Sequence, residues 1–226
     1  MGLDEAIERL EETVAELRQA SLTDDKTVLG NAMALRLEAR QINDGKSPFD
    51  LVIFGDLNDF KHLNDEYGHE VGDIAIKTVG EVVARVFIEE RAGKAFRRSG
   101  DEFVILLRQD FELSIESSVS SFREVSFSHN EKTLTTAMSF GYAVSDQRTS
   151  FEDLVERAEV ACQMGKILGG GRSVSWTTDL KNNPLVRRTD RCRTCNAKIT
   201  VHIPQSEAPQ NLRFCPCCGK SLVDSG

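Results

Sequence analysis

The chain has 226 residues, 40% of them hydrophobic, with a formal net charge of -8 and six cysteines. That length holds one sizeable core plus a small appendage, and the acidic balance disfavours non-specific attraction to nucleic acid or anionic lipid, because counterion release needs a basic surface. No apolar run approaches the roughly 18 residues that a bilayer demands, and the start MGLDEAIERLEE is acidic and amphipathic, unlike a secretory signal. A folded, soluble, cytoplasmic protein without membrane contact is expected, and an anionic ligand would need a local basic pocket or a bound metal.

The apolar positions Leu3, Ile7, Leu10, Val14 and Leu17 alternate spacings of four and three residues. They predict a coiled-coil seam of about two heptads over residues 1–20, with an amphipathic helix packed on its own domain as the alternative. After SLTDD a second helix is expected over 26–43, then a buried strand at FDLVIFGD, 49–56, and the polar segment LNDFKHLNDEYGHEVGD. Val71, Ile74, Ala75, Val79, Val82, Val83 and Val86 recur at helical spacing and predict a helix over 71–88. Residues 94–98 and 102–107 read as a hairpin closed by Ser99, Gly100 and Asp101. A helix near 112–124, a strand at 133–144, a helix at 151–168 and a short strand in GGGRSVSW complete the main domain.

The order β-α-β-β-α-β indicates an α+β, ferredoxin-like plan. Right-handed crossovers make the first two strands parallel and insert the third between them, antiparallel to both. The end of the first strand, at Asp56, then lies beside the start of the third, at Asp101 and Glu102, although 45 positions separate Asp56 from Asp101. Three converging carboxylates raise one another's pKa unless a cation neutralises them, and hard oxygen donors suit Mg²⁺ or Mn²⁺ with substrate phosphates completing the shell. The alternative is that Asp56 caps the following segment while Asp101 and Glu102 form a solvated turn. Lys61 and the stretch from Lys166 to Arg172 supply cations for a polyphosphate. Asn64 and Asp73 offer an amide and a carboxylate that match the N1–H and N2–H edge of guanine, a pair of donors that adenine lacks. Asp73 also reads as an ordinary charge near a helix N-terminus.

DLNDFKHLNDEYGHEVGD followed by RRSGDEFVILL, TAMSFGYAV and FEDLVERAEVACQMGK closely resembles the GGDEF domain of diguanylate cyclases, over about residues 21–176. The resemblance implies a polymerase-palm-like relative of the ferredoxin plan that joins two GTP molecules into cyclic di-GMP with release of two pyrophosphates. It implies that Asp56, the Leu57 carbonyl and Asp101 bind the metal, and that Asp101 or Glu102 helps deprotonate the attacking hydroxyl. Phe60 would lie beside the base, Asn64 and Asp73 would read guanine, and Lys61, Lys166 and Arg172 would hold phosphates. One domain holds one GTP, so the two-fold product requires two domains face to face, which favours a homodimer through the N-terminal seam. A GGDEF-like module that holds GTP or nothing, and acts through its C-terminal segment, is the alternative.

Departures from the family pattern are specific. Ser99 stands where the first signature glycine would be and would be strained by about 1 kcal/mol if that position needs positive φ. Asn58 stands where many relatives have a second Asp, KILGGGR lengthens the step from Lys166 to Arg172 by two residues, and LTDDKTVLGN departs from the usual opening. Glu90 and Gly93 occupy the positions of the family's Arg-x-x-Asp product-inhibition site, so feedback there is expected to be absent.

Cys192-x-x-Cys195 and Cys215-x-x-Cys218, separated by 19 residues, form a zinc-ribbon pattern of two thiolate knuckles in which Zn²⁺ would be structural. Cys217 could replace Cys218, His202 reads as a surface residue, and Cys162 reads as core. The expected organisation is a helical stalk at 1–20, the cyclase-like domain at 21–178, a linker at 179–189 and the ribbon at 190–226, with the ribbon open to an unidentified protein partner.

Overall fold

A computed structural model describes residues 3–146, 148–167, 170–176, 185–191 and 198–204, with residues 3–4, 113–114, 185–191 and 198–204 described by their backbone alone. Helix α1 (Leu3–Leu22) leads into α2 (Ala32–Asn43), strand β1 (Leu51–Leu57), α3 (Phe60–Tyr67) and α4 (His69–Val83), which runs on as a π-helical turn, Ala84–Glu89. The hairpin β2 (Lys94–Ser99) and β3 (Glu102–Leu107) follows, then a short α5 (Ile115–Val119) between two 3-10 turns. A second hairpin, β4 (Val125–His129) and β5 (Lys132–Thr136), precedes β6 (Met138–Val144), α6 (Phe151–Ile167) and β7 (Ser173–Ser175).

The main sheet has the order β2-β3-β1-β6-β7, so β1 is central and β3 lies between β2 and β1 as the sequence implied. Alternation along β1 explains its two-sided burial. Leu51, Ile53 and Leu57 pack with Val71, Ala75, Val79 and Phe87 of the α4 layer, whereas Val52 and Phe54 pack with Leu35 of α2 and Leu154, Ala158 and Cys162 of α6. Asp56 has the parity of Val52 and Phe54, which places it on the side that α6 covers. Gly141 of β6 lets α6 lie directly on the sheet: a Cβ there would stand 2.0 Å from the Ala158 carbonyl oxygen and 2.1 Å from the Cys162 nitrogen.

Several expectations are corrected. The helix expected from residue 26 begins at Ala32, because Asn31 caps it by accepting from the N–H groups of Met33 and Ala34, while Asp24 folds the preceding residues into a turn. The polar segment after β1 contains α3, bounded by Asp59 at φ 53° and Gly68 at φ 89°. The helix expected over 112–124 is broken into α5 and its flanking 3-10 turns. The strand expected over 133–144 is two strands in different sheets: the Ala137 carbonyl accepts from the N–H of Asn58 at the break, and β5 turns away to pair with β4. Their hairpin turn places Asn130 and Glu131 at positive φ, 48° and 63°. A further hairpin, β8 (Leu185–Arg191) with β9 (Lys198–Pro204), begins inside the segment expected as a linker.

On α1 the seam residues Ile7, Leu10, Val14 and Leu17 are exposed by 46%, 65%, 38% and 65%, so this face is not packed on the chain's own domain. Among the described residues no helix is long and apolar enough to cross a membrane.

Candidate active site

The strand register brings Asp56 opposite Glu102, one residue after Asp101, and the Leu57 N–H donates to the Asp101 carbonyl at 3.3 Å. Opposite residues of an antiparallel pair share a face, so the carboxylates of Asp56 and Glu102 emerge side by side. Burial pushes the Asp56 carboxyl above its ordinary range; Asp101 and Glu102 push the same way, and the Lys166 ammonium opposes them only in part. Lys166, in the last turn of α6, bonds the Asp56 carboxylate and also donates to the Leu57 carbonyl at 3.2 Å.

That ammonium tests whether a divalent cation fits. It is a cation seated on one carboxylate and one backbone carbonyl, both hard oxygen donors. Among the described residues no three His, Cys, Asp or Glu side chains are grouped closely enough to chelate a metal by themselves. Mg²⁺ needs only one or two carboxylates when phosphate oxygens supply the rest, so the donor set fits a metal that arrives with a nucleotide.

Ser99 is not among the residues at positive φ; Gly100, at φ 46°, takes that conformation in the turn. The serine hydroxyl donates to Glu102 Oε2 at 2.7 Å, so the side chain orients the neighbouring acid. Behind the turn, Arg97 Nε donates to the Gly100 carbonyl at 2.9 Å and its guanidinium pairs with Asp24 at 3.0 Å.

A second group of residues gathers where α3 meets α4. Asn64 Oδ1 is buried against Gly72 with no hydrogen-bond partner, and Gly72 has space for neither a Cβ beside Asn64, at 2.0 Å, nor one beside Phe60, at 3.1 Å. Asp73 follows on α4 and is exposed, and its Oδ1 accepts from Lys26 Nζ at 2.5 Å. Phe60 and Asn64 are thus brought together at Gly72, with Asp73 the next residue along α4, whereas Lys61 lies exposed on α3.

Arg172 is exposed and lines an open cleft of about 630 Å³ with Asn58, Glu116, Arg123, Gly170 and Ser173. The glycine turn that carries it is anchored through Ser139, which is fully buried, donates to Asn58 Oδ1 at 2.8 Å and accepts from the Gly171 N–H at 3.1 Å. Asn58 is therefore a brace of the glycine turn. Lys26, Ser139, Arg123 and Gly72 escaped the sequence reading: three are non-local contacts, and Gly72 carried a signal only as a glycine inside a helical pattern. Cys162 is buried core as expected, its thiol donating to the Ser139 carbonyl at 3.1 Å. The expected zinc ligands Cys192, Cys195, Cys215 and Cys218 lie outside the described residues.

The family model for the diguanylate cyclase GGDEF domain matches residues 21–172. Among curated proteins, the chain is 31% identical over 161 residues to diguanylate cyclase DgcN of Escherichia coli, covering 67% of this chain and 38% of that protein. Diguanylate cyclase DgcS of Shewanella oneidensis is 27% identical over 161 residues, covering 68% of this chain and 52% of its own length. The chain thus spans about half or less of these relatives. Among solved structures, the coiled coil and GGDEF domain of DgcB from Caulobacter crescentus in complex with c-di-GMP shares the fold with a TM-score of 0.66 at 23% identity, covering 76% of this chain and 94% of that one. SiaD from Pseudomonas aeruginosa, in complex with its activator SiaC, superposes with a TM-score of 0.64 at 21% identity, covering 76% and 68%. The fold, the hairpin at Asp101 and Glu102 facing Asp56, and the family match over most of the main domain agree: this chain belongs to the GGDEF, diguanylate cyclase, family.

Proposed function

We propose that the chain is a diguanylate cyclase that condenses two GTP molecules into cyclic di-GMP and two pyrophosphates. The observation that carries this reading is the Asp56 carboxylate and Leu57 carbonyl gathered around a cation at the sheet edge, with Asp101 and Glu102 beside them. Phe60, Asn64 and Asp73 hold the guanine; Lys61, Lys166 and Arg172 meet the phosphates, with Lys166 leaving Asp56 when nucleotide arrives. Bound Mg²⁺ or Mn²⁺, held by Asp56, Asp101 and the Leu57 carbonyl, would stabilise charge on the entering and leaving oxygens. Asp101 or Glu102 would take the proton from the 3'-hydroxyl as its oxygen attacks the α-phosphate of the facing GTP and pyrophosphate departs.

The two-fold product calls for a homodimer, and the exposed apolar seam of α1 is the surface we assign to it. Product inhibition through an Arg-x-x-Asp site would be absent: a Cβ at Gly93 would stand 2.4 Å from Leu107 Cδ2 and 2.7 Å from the Phe87 carbonyl oxygen, leaving no room for an acidic side chain. Cys192, Cys195, Cys215 and Cys218 would bind structural Zn²⁺ and present a ribbon to a protein partner. Incubation with GTP and Mg²⁺, followed by mass spectrometry, should show cyclic di-GMP from the wild type and none from Asp56→Ala; a dimeric, zinc-loaded wild type that makes no cyclic di-GMP refutes the assignment.

A further inference from the structure

We propose that Lys26 is a specificity-determining residue of the purine pocket, its ammonium donating to O6 of guanine while Asp73 accepts from N1–H and N2–H. The proposal rests on the GTP-dependent reading above and adds a reader from a part of the chain 47 residues away from Asp73. Lys26 Nζ lies 2.5 Å from Asp73 Oδ1, and the two side chains are 37% and 49% exposed, so the pair is joined yet open to a ligand.

The position of Lys26 is built into the fold. Asp24 Oδ1 accepts from the N–H of Lys26 at 3.2 Å, from the N–H of Thr27 at 3.0 Å and from the Thr27 hydroxyl at 2.9 Å. Asp24 is fixed in turn by Arg97, both side chains being only 11% exposed. Thr27 is buried against α4 at Gly80, where a Cβ would stand 2.8 Å from Thr27 Cβ. The turn is therefore clamped to the helix that carries Asp73 and, through Arg97, to the carbonyl of Gly100 in the acidic hairpin.

The chemistry of the edge decides what this pair can recognise. Guanine presents O6, an acceptor, directly beside the N1–H and N2–H donors. A carboxylate alone matches the two donors but leaves O6 facing negative charge; an ammonium on the same carboxylate supplies the missing donor. Adenine presents an amino donor where Lys26 donates and a bare N1 where Asp73 accepts, so it is rejected at both positions by unpaired polar groups. An ion pair that simply occupied Asp73 would have the opposite effect, because guanine would have to displace Lys26 before binding.

Titration calorimetry of the full chain with the α,β-methylene analogues of GTP, ITP and ATP, in Mg²⁺, separates these cases, because the methylene bridge blocks pyrophosphate departure. Lys26→Met should weaken the GTP and ITP analogues alike by about tenfold, since both keep O6, and leave the ATP analogue unchanged or slightly tighter. Lys26→Arg, which keeps a donor, should restore part of the guanine preference. A Lys26→Met protein that binds the GTP analogue equally well or more tightly, or that loses all three analogues equally, overturns the proposal. A wild type that binds no nucleotide, or has no preference for guanine, removes the parent reading and this inference with it.

Discussion

Gly72→Ala should separate nucleotide recognition from folding. A Cβ at this position would lie 2.0 Å from Asn64 Oδ1 and 3.0 Å from its Cγ, with Phe60 Cζ at 3.1 Å. The amide must retreat by roughly 1 Å or more to reach ordinary contact distance, and as the end of a flexible side chain it can. Crowding costs about 1–3 kcal/mol, while replacing glycine inside helix α4 returns up to about 1 kcal/mol, so net stability should fall by no more than about 3 kcal/mol. The displaced amide no longer reaches the base, and losing that hydrogen bond costs about 1 kcal/mol, roughly a fivefold weaker Kd for GTP. Calorimetric titration with the α,β-methylene GTP analogue, beside a urea melt, measures both quantities. Unchanged nucleotide affinity in a folded Gly72→Ala protein would refute the placement of Asn64 in the pocket, as would a weakening matched by the ATP analogue.

Gly141→Ala should behave oppositely, because its Cβ would meet the backbone of α6 at Ala158 and Cys162, which cannot give cheaply; we expect a loss of about 3 kcal/mol or more in urea unfolding, and a loss below about 1 kcal/mol would contradict the packing. Burial pushes the Cys162 thiol up from 9.0 to about 12, so the native state holds this proton more tightly than the unfolded chain. Its contribution to stability is complete below the unfolded value and declines as pH rises from 9.0 through about 12, a slope that Cys162→Ala should remove. Peptide mapping after native alkylation at pH 8 should find Cys162 unmodified, and rapid labelling there would place the thiol at the surface. Ser99→Gly removes the hydroxyl that orients Glu102 without changing a strained φ, and turnover should shift by no more than about fivefold. A gain of about a hundredfold in that variant would mean that the serine silences the hairpin.

The central strands were legible because their signals are local and strong. FDLVIFGD is apolar on both faces, the residues 99–101 turn is short, and a right-handed crossover leaves one position for β3, so the approach of Asp56 to the start of β3 followed from sequence, while the register that sets it opposite Glu102 came from the structure. Boundaries were less legible where polar side chains compete with the backbone: Asp24 and Asn31 convert the expected first helical turns of α2 into a loop and a cap. The β4–β5 hairpin escaped because its turn is Asn130-Glu131, with glutamate at a positive φ where glycine would have announced it. At the site, Asp56 and the acids of the hairpin were placed together by topology, but the cationic partners of Asp56 and Asp73 were not foreseen. The contact of Lys166 with Asp56 and Leu57 was not foreseen, and Lys26 was not singled out, because neither ion pair has a local signal in the chain. Helix α1 illustrates a third case, in which spacing defined an apolar face and only its exposure shows that this face is not packed on its own domain.

The central claim is that the carboxylates at this sheet edge carry out a symmetric condensation of two GTP molecules. Its most direct test is the simultaneous quantification of cyclic di-GMP and pyrophosphate during incubation of the purified protein with GTP and Mg²⁺, beside Asp101→Ala. The account predicts two pyrophosphates for each cyclic di-GMP in the wild type and neither product above background in the variant. A substantial yield of cyclic di-GMP from Asp101→Ala would contradict the site, and a folded, dimeric wild type that releases neither product would contradict the function.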